Sequence, residues 1–323
     1  MAKMWNSLIT GVSALTLFAG GAMAEPKVVA SIQPIHSLVA GVMAGVGSPT
    51  LLVKGGGSPH SYSLRPSDAR ALADADVVFW VGEGLETFLR KPIKTLGSNA
   101  RAVELLHAPG VLKIAYGPDE EHHDDDAHEH EHEHEHEHDE VHDEGHHHGA
   151  FDPHIWLDPR NAEVLVNTIA AELEVVDPAN KDAYEANANR LAERLRALDH
   201  ALSERLTPVE KSPYVVFHEA YSYFEKRYHL NQVASVTVSP DRKPGAAHLK
   251  EIRQKIAESG AMCVFTEPQF EPKVVQTVVQ GMDVGTGVMD PLGASLVPGE
   301  DAYFKLMESL AAGLTDCLTG KGN

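Results

Sequence analysis

Apolar residues in this chain follow two rhythms. Short runs rich in β-branched and aromatic residues occupy 28–32, 50–53 and 77–81, separated by longer segments whose apolar positions recur with helical spacing. The same alternation resumes later, with strand-like runs at 214–217, 232–238 and 262–266. Strands alternating with helices predict parallel sheet covered by helices, and two such series predict two α/β domains.

Between the two series, Tyr184, Ala188, Leu191, Leu195, Leu198 and Leu202 are spaced by four, three, four, three and four residues. This is the stripe of one long amphipathic helix. Asp177 is the expected cap, Pro178 suits the first helical position and Pro208 ends the run. At 1.5 Å per residue, roughly 29 residues span about 44 Å. The expected organisation is an N-terminal α/β domain over 25–176, a linker helix over 177–206 and a C-terminal α/β domain over 207–323. A stiff connector of that length favours small rocking or loop movement over a large hinge closure.

The first 24 residues have a different pattern. Lys3 supplies a positive start, an apolar stretch runs over about 8–19, and Ala22-Met23-Ala24 is a small-residue cleavage signature. They read as a signal peptide, with the mature chain starting at Glu25. No other apolar run approaches the roughly 20 residues of a membrane span, and no cysteine follows the leader that could carry a lipid. A soluble exported protein is expected, in a periplasm rather than on the face of a single-membrane cell. Cys263 and Cys317 are the only cysteines. In an oxidising compartment the expectation is one disulfide clamping the C-terminus, and the alternative is a pair of thiolates on zinc.

Composition changes the picture at one place. Residues 119–149 hold 12 of the chain's 20 histidines and 15 of its 47 carboxylates. The histidines are His122, His123, His128, His130, His132, His134, His136, His138, His142, His146, His147 and His148. Imidazole, with a free pKa of about 6.5, is largely neutral near pH 7 and is the commonest ligand for zinc and similar cations. With Ala127 and Val141 as its only apolar side chains, the tract cannot bury enough surface to offset its ordering entropy, and a disordered loop is expected. Such a loop offers many weak metal sites, whereas tight binding needs ligands pre-positioned by a fold. The formal net charge of −20 argues against a nucleic-acid partner, although most of it sits in this tract.

Eight histidines lie elsewhere, and three stand out by context. His60 follows the 50–53 strand in GGGSPHSYSLRPSD, where Gly55, Gly56 and Gly57 permit a tight backbone. His154 lies in FDPHIWLDP, and His218 ends the strand in YVVFHEAYSYFE. Ligands of open parallel sheets bind beyond the carboxyl ends of strands, where His60 and His218 fall. His36, His107, His200, His229 and His248 read as packed or solvated.

These segments, together with FTEPQF and the late MDPLG, resemble in order the motifs of the solute-binding proteins that serve zinc and manganese ABC importers. The acidic His-rich insertion resembles the zinc-specific branch, the ZnuA-like periplasmic proteins. The resemblance covers the whole mature chain. It implies two α/β domains joined by a long helix, a metal site in the cleft between them, and His60, His154 and His218 as ligands. It also implies an inner-membrane ABC permease with its cytoplasmic ATPase as partner, and a monomer as the binding unit. Manganese-type relatives place a carboxylate where this chain has His218, and an aspartate where it has Asp290. Some zinc-type relatives have a glutamate just before the first histidine, where this chain has Pro59. Water, Asp290 or a histidine of the loop is left for the fourth position, and three imidazoles favour Zn²⁺ over manganese.

Other classes remain open at this point. Three histidines with an open position also describe a catalytic zinc, as in a hydrolase. There is no HExxH, however, since His218 is followed by Glu219-Ala220-Tyr221-Ser222. A manganese-binding protein, a zinc-dependent adhesin or a metal buffer acting alone are the further alternatives. For the loop, collection of zinc at low affinity is the favoured role, against sensing or no role.

Overall fold

The structure is a computed structural model that describes residues 25–116, 150–237, 240 and 244–320. The leader over 1–24, the tract over 119–149 with its 12 histidines, and Val238 lie outside the described residues.

The N-terminal half runs β1 (Val28–Ala30), α1 (Gln33–Val42), β2 (Thr50–Leu51), α2 (Pro66–Ala73), β3 (Val77–Trp80), α3 (Arg90–Thr95) and β4 (Arg101–Glu104). Its sheet has the order β2-β1-β3-β4, all parallel. Two helices follow, α4 (Pro159–Val176) and α5 (Lys181–Leu206). The C-terminal half adds β5 (Pro213–His218), α6 (Ser222–Tyr228), β6 (Asn231–Thr237), α7 (Ala246–Ser259), β7 (Cys263–Thr266), α8 (Lys273–Val279), β8 (Gly285–Val288) and α9 (Ala302–Leu318). Its sheet, β6-β5-β7-β8, is parallel as well. The molecule has the two parallel-sheet α/β domains and the long helix that the alternation predicts.

The central strands are apolar on both faces because helices cover both. Val77, Val78, Phe79 and Trp80 are all buried, and so are Tyr214 to His218 along β5. Two strands, β4 and β8, are not signalled by the hydrophobic pattern. Both are sheet edges, one reading RAVE and the other GTGV, and charged ends or glycines are what edge strands tolerate.

The long helix starts later than its pattern suggests. Asp177 caps no part of α5; it ends α4, and a 3-10 turn over Pro178–Asn180 intervenes. The Asp177 carboxylate instead accepts hydrogen bonds from Asn180 Nδ2 and Tyr184 Oη, both at 2.7 Å. The 26 residues of α5 span about 39 Å. Its stripe is buried in full, with Ala192 and Leu206 added to the six expected positions.

The helix α1 is buried on nearly every side, packed among β1, α4, α5 and α9. Gly41 makes the approach of α5 possible, since a Cβ there would lie 2.7 Å from Leu191 Cδ1. The last helix thus returns from the C-terminal half to complete the N-terminal one. Polar bonds seal this junction: Gln33 Nε2 donates to the carbonyls of Gly293 (2.8 Å) and Leu296 (2.9 Å). Ser37 Oγ donates to Glu300 O and accepts from Tyr303 N. One hydrophobic cluster runs through both halves. Cys263 of β7 and Cys317 of α9 form the expected disulfide, which leaves no thiolate for a metal. On the chain-entropy model, a cross-link at a sequence separation of 54 contributes about 4 kcal/mol.

Candidate metal centre

His218 is the last residue of β5, so its side chain emerges at the carboxyl end of a buried central strand. His60 arrives from the first half, in the segment that follows β2. The turn carrying it passes through Gly55 at φ +63°, a left-handed conformation that favours glycine. His154 precedes the 3-10 turn Ile155–Leu157, which leads into α4. Asp158 caps α4, its Oδ1 accepting from Arg160 N at 2.9 Å, and Pro159 occupies the first turn.

The three rings converge. Their centroids are 5.7 Å apart for His60–His154, 5.7 Å for His60–His218 and 5.4 Å for His154–His218. One nitrogen of each lies within 4.8 Å of the others, and this is the sole group of metal-ligating side chains found among the described residues. They line a cavity of about 10 Å³ with Ser58, Pro59, Glu267, Gln269, Phe270, Pro291 and Leu292. The space suits one small ion with a single water beside it.

Behind two of the rings stands a buried carboxylate. Asp152 Oδ1 lies 2.7 Å from His154 Nδ1 and also accepts from His154 N at 2.9 Å. Glu267 Oε1 lies 2.7 Å from His218 Nδ1. A carboxylate accepts only, so in the neutral imidazoles the proton sits on Nδ1 and Nε2 is left as a lone-pair donor. His218 Nε2 is buried without a partner among the described residues, an arrangement that costs about 1–3 kcal/mol until something bonds it. Three neutral imidazoles around such a gap fit a zinc-type cation.

The supports are themselves held. Tyr221 Oη donates to Glu267 Oε1 at 3.2 Å. Burial, then the neighbouring Glu267 and Asp290 charges, push the Tyr221 phenol well above its ordinary pKa and keep it a donor. Tyr223 Oη donates to Asp152 O at 2.8 Å, and Trp156 Nε1 donates to Pro291 O at 2.8 Å. Both bonds tie the His154 segment to the C-terminal half.

Among the described residues the His60 ring has no such support; the hydrogen bonds of its turn run from its backbone N to Ser58 Oγ and from Ser61 N to Ser58 O, both at 3.3 Å. Burial, then the adjacent His154 and His218, hold the His60 imidazole well below its ordinary pKa, and it is neutral near pH 7.

Asp290 lies outside the ligand group. Its Oδ1 accepts from Gln269 Nε2, Leu292 N and Gly293 N, and its Oδ2 from Ala294 N at 2.6 Å. In this structure it organises the turn after β8. The remaining histidines are elsewhere: His36 is buried with Nε2 on Pro49 O, His248 has Nε2 on Val236 O, and His107 and His200 sit near Glu104 and Glu204. His229 ends α6 in a left-handed conformation. The sequence motif FTEPQF contains Glu267, but no spacing signal separates a carboxylate that supports a ligand from one that caps a turn.

A family model described as zinc-uptake complex component A, periplasmic, matches residues 28–317. The "High-affinity zinc uptake system protein ZnuA" of Brucella suis is 47% identical over 338 residues, covering 98% of this chain and 99% of that protein. Its counterpart in Yersinia pestis is 38% identical, covering 97% and 98%. Among solved structures, one titled "Crystal structure of ZnuA" superposes with a TM-score of 0.72 at 24% identity, covering 90% of this chain and 98% of that one. Among the described residues, no helix is long and apolar enough to cross a membrane. The chain belongs to the family of periplasmic zinc-uptake complex component A, the ZnuA family.

Proposed function

We propose that this protein is the high-affinity zinc-binding component of an ABC importer, which captures Zn²⁺ between its two domains and delivers it to a permease. His60, His154 and His218 are the ligands. The observation that carries this reading is their convergence to within 4.8 Å, with a carboxylate behind each of two rings. The names of the Brucella and Yersinia relatives support the zinc assignment. So does donor chemistry, because a site of imidazoles without a directly placed carboxylate suits zinc better than manganese.

The chain is exported by its 1–24 leader, works in the periplasm as a monomer, and docks on an inner-membrane permease driven by a cytoplasmic ATPase. Its 119–149 tract collects zinc at low affinity. The domains span 25–176 and 207–323, joined through 177–206.

A chelator-competition zinc titration tests the assignment, using protein lacking 119–149 beside the same protein with His60, His154 and His218 changed to alanine. The expected result is one tight site, lost in the triple variant. Absence of a tight site from the parent would place zinc binding in the tract and end the cleft assignment.

A further inference from the structure

Two buried acceptors in the wall of the histidine cavity have nothing to accept from among the described residues. Glu267 and Gln269 follow β7 and line the cavity. Oε1 of Glu267 is engaged by His218 Nδ1 and Tyr221 Oη, whereas Oε2 is buried and without a partner. Gln269 Nε2 donates to Asp290 Oδ1 at 2.7 Å. Because a carboxylate only accepts, that bond fixes which end of the amide is nitrogen. Oε1 of Gln269 is left buried and unpartnered. Asp290 is itself pinned by three backbone amides, so Gln269 cannot be relieved by its turning away.

Buried orphans of this kind need a physical reason. Both are acceptors, so whatever satisfies them must bring two donor hydrogens into a space of about 10 Å³. A water molecule does so. His218 Nε2, a third orphan of this wall among the described residues, presents a lone pair that a cation satisfies. A cation on the three imidazoles, with water as its fourth ligand, answers all three at once. The water bonds the cation through oxygen and gives its two hydrogens to Glu267 Oε2 and Gln269 Oε1. Glu267 is outside the group whose ligand atoms lie within 4.8 Å of one another, which suits a bridge through water better than a direct bond.

We infer that Glu267 and Gln269 are further residues of the zinc site, holding the water that completes its coordination, and that Asp290 acts on the site by orienting Gln269. This rests on the zinc reading above. It makes Glu267 a positioning residue twice over, through His218 with one oxygen and through the water with the other. It also predicts selectivity against anions, since an anion in the fourth position brings lone pairs where two acceptors wait.

The test uses the full chain with Glu267→Gln and, separately, Gln269→Leu. Gln269 is only half-buried, so that variant keeps the question answerable if Glu267→Gln fails to fold. Zinc affinity is read by chelator competition, and the fourth position by titrating azide into protein loaded with one equivalent of Co²⁺ while following its visible spectrum. Each variant is expected to weaken zinc by about 10- to 100-fold. The Co²⁺ form of Glu267→Gln, which offers an amide donor to the anion, is expected to bind azide at least about tenfold more tightly than wild type. Unchanged zinc affinity and unchanged azide response in both variants would overturn the inference while leaving the histidine site intact. Tight zinc binding that survives the triple histidine variant would overturn the functional reading itself.

Discussion

His154 and His218 differ from His60 in what stands behind the ring. The first two are 3% exposed, and each leans on a carboxylate at 2.7 Å that is buried almost completely. His60 comes from a glycine-containing turn and its ring leans on nothing comparable. Two of the three ligands are thus built into the packing of the molecule, and the third is brought to them. Fold and function share residues at the first two positions and are separable at the third. Removing a histidine should therefore have different costs at the supported and the unsupported positions.

The largest effect is expected from His218→Ala. It should weaken zinc by well over the roughly 100-fold that loss of a mere support produces. It also removes one of the two donors on Glu267 Oε1, and losing a hydrogen bond to a buried charge costs about 1.5–3 kcal/mol of stability. His60→Ala should show a comparable loss of zinc with little change in denaturant midpoint of the metal-free protein. Equal destabilisation by both variants would erase the distinction.

Asp152→Asn should come next. Its neutral amide oxygen is a weaker acceptor for His154 Nδ1 than the charged carboxylate, and zinc affinity should drop about 10- to 100-fold. No change by chelator competition would show that the carboxylate serves only its turn.

The third expectation concerns pH. The folded state holds the His60 imidazole below its unfolded pKa, because burial and the two neighbouring rings disfavour its cation. The unfolded chain therefore takes up the proton first as pH falls. The His60 contribution to stability is complete above about pH 6.5 and is lost progressively below it. Metal-free wild type should weaken more than His60→Gln between pH 7.5 and 5.5 in chemical denaturation, and parallel curves would contradict this. Zinc affinity should fall over the same range as protons compete for the imidazoles.

The smallest effect belongs to Gly55→Ala. Open space surrounds the position, but φ of +63° disfavours any Cβ by about 1–2 kcal/mol. The strain should appear mainly as faster zinc release, with the fold unaffected. A matching fall in melting temperature would show that the turn is part of the core after all.

Much of this was legible in the residues. The strand-helix alternation carried the architecture because parallel sheet is buried on both faces and leaves continuous apolar runs. The α5 stripe was legible because its seam repeats without interruption. What escaped was what depends on partners distant in sequence. The edges β4 and β8 lacked a hydrophobic signature since one side of each meets solvent. Asp177 was read as a cap from its neighbour Pro178, yet its carboxylate went to Tyr184, a choice made by packing. His60, His154 and His218 could be singled out by their strand-end and turn contexts. Their supports could not, because Asp152 and Glu267 look like any acid beside a proline until the fold brings them to the rings. Asp290 entered as a candidate ligand through the resemblance of MDPLG to a family motif, whereas in the fold its short acidic side chain serves a tight turn.

The packing of α9 on α1 has a consequence for the order in which the molecule can be made. The chain emerges N-terminus first, so β1 and α1 are present early, but one of the surfaces that cover α1, beside those of β1, α4 and α5, is supplied by residues 302–318, which appear much later. Until then the side of α1 that faces α9 has no lasting cover, and the first half stays open to holding factors on that side. A nascent chain stalled before Asp301 should therefore be sensitive to protease in both halves, including the strands farthest from the missing segment.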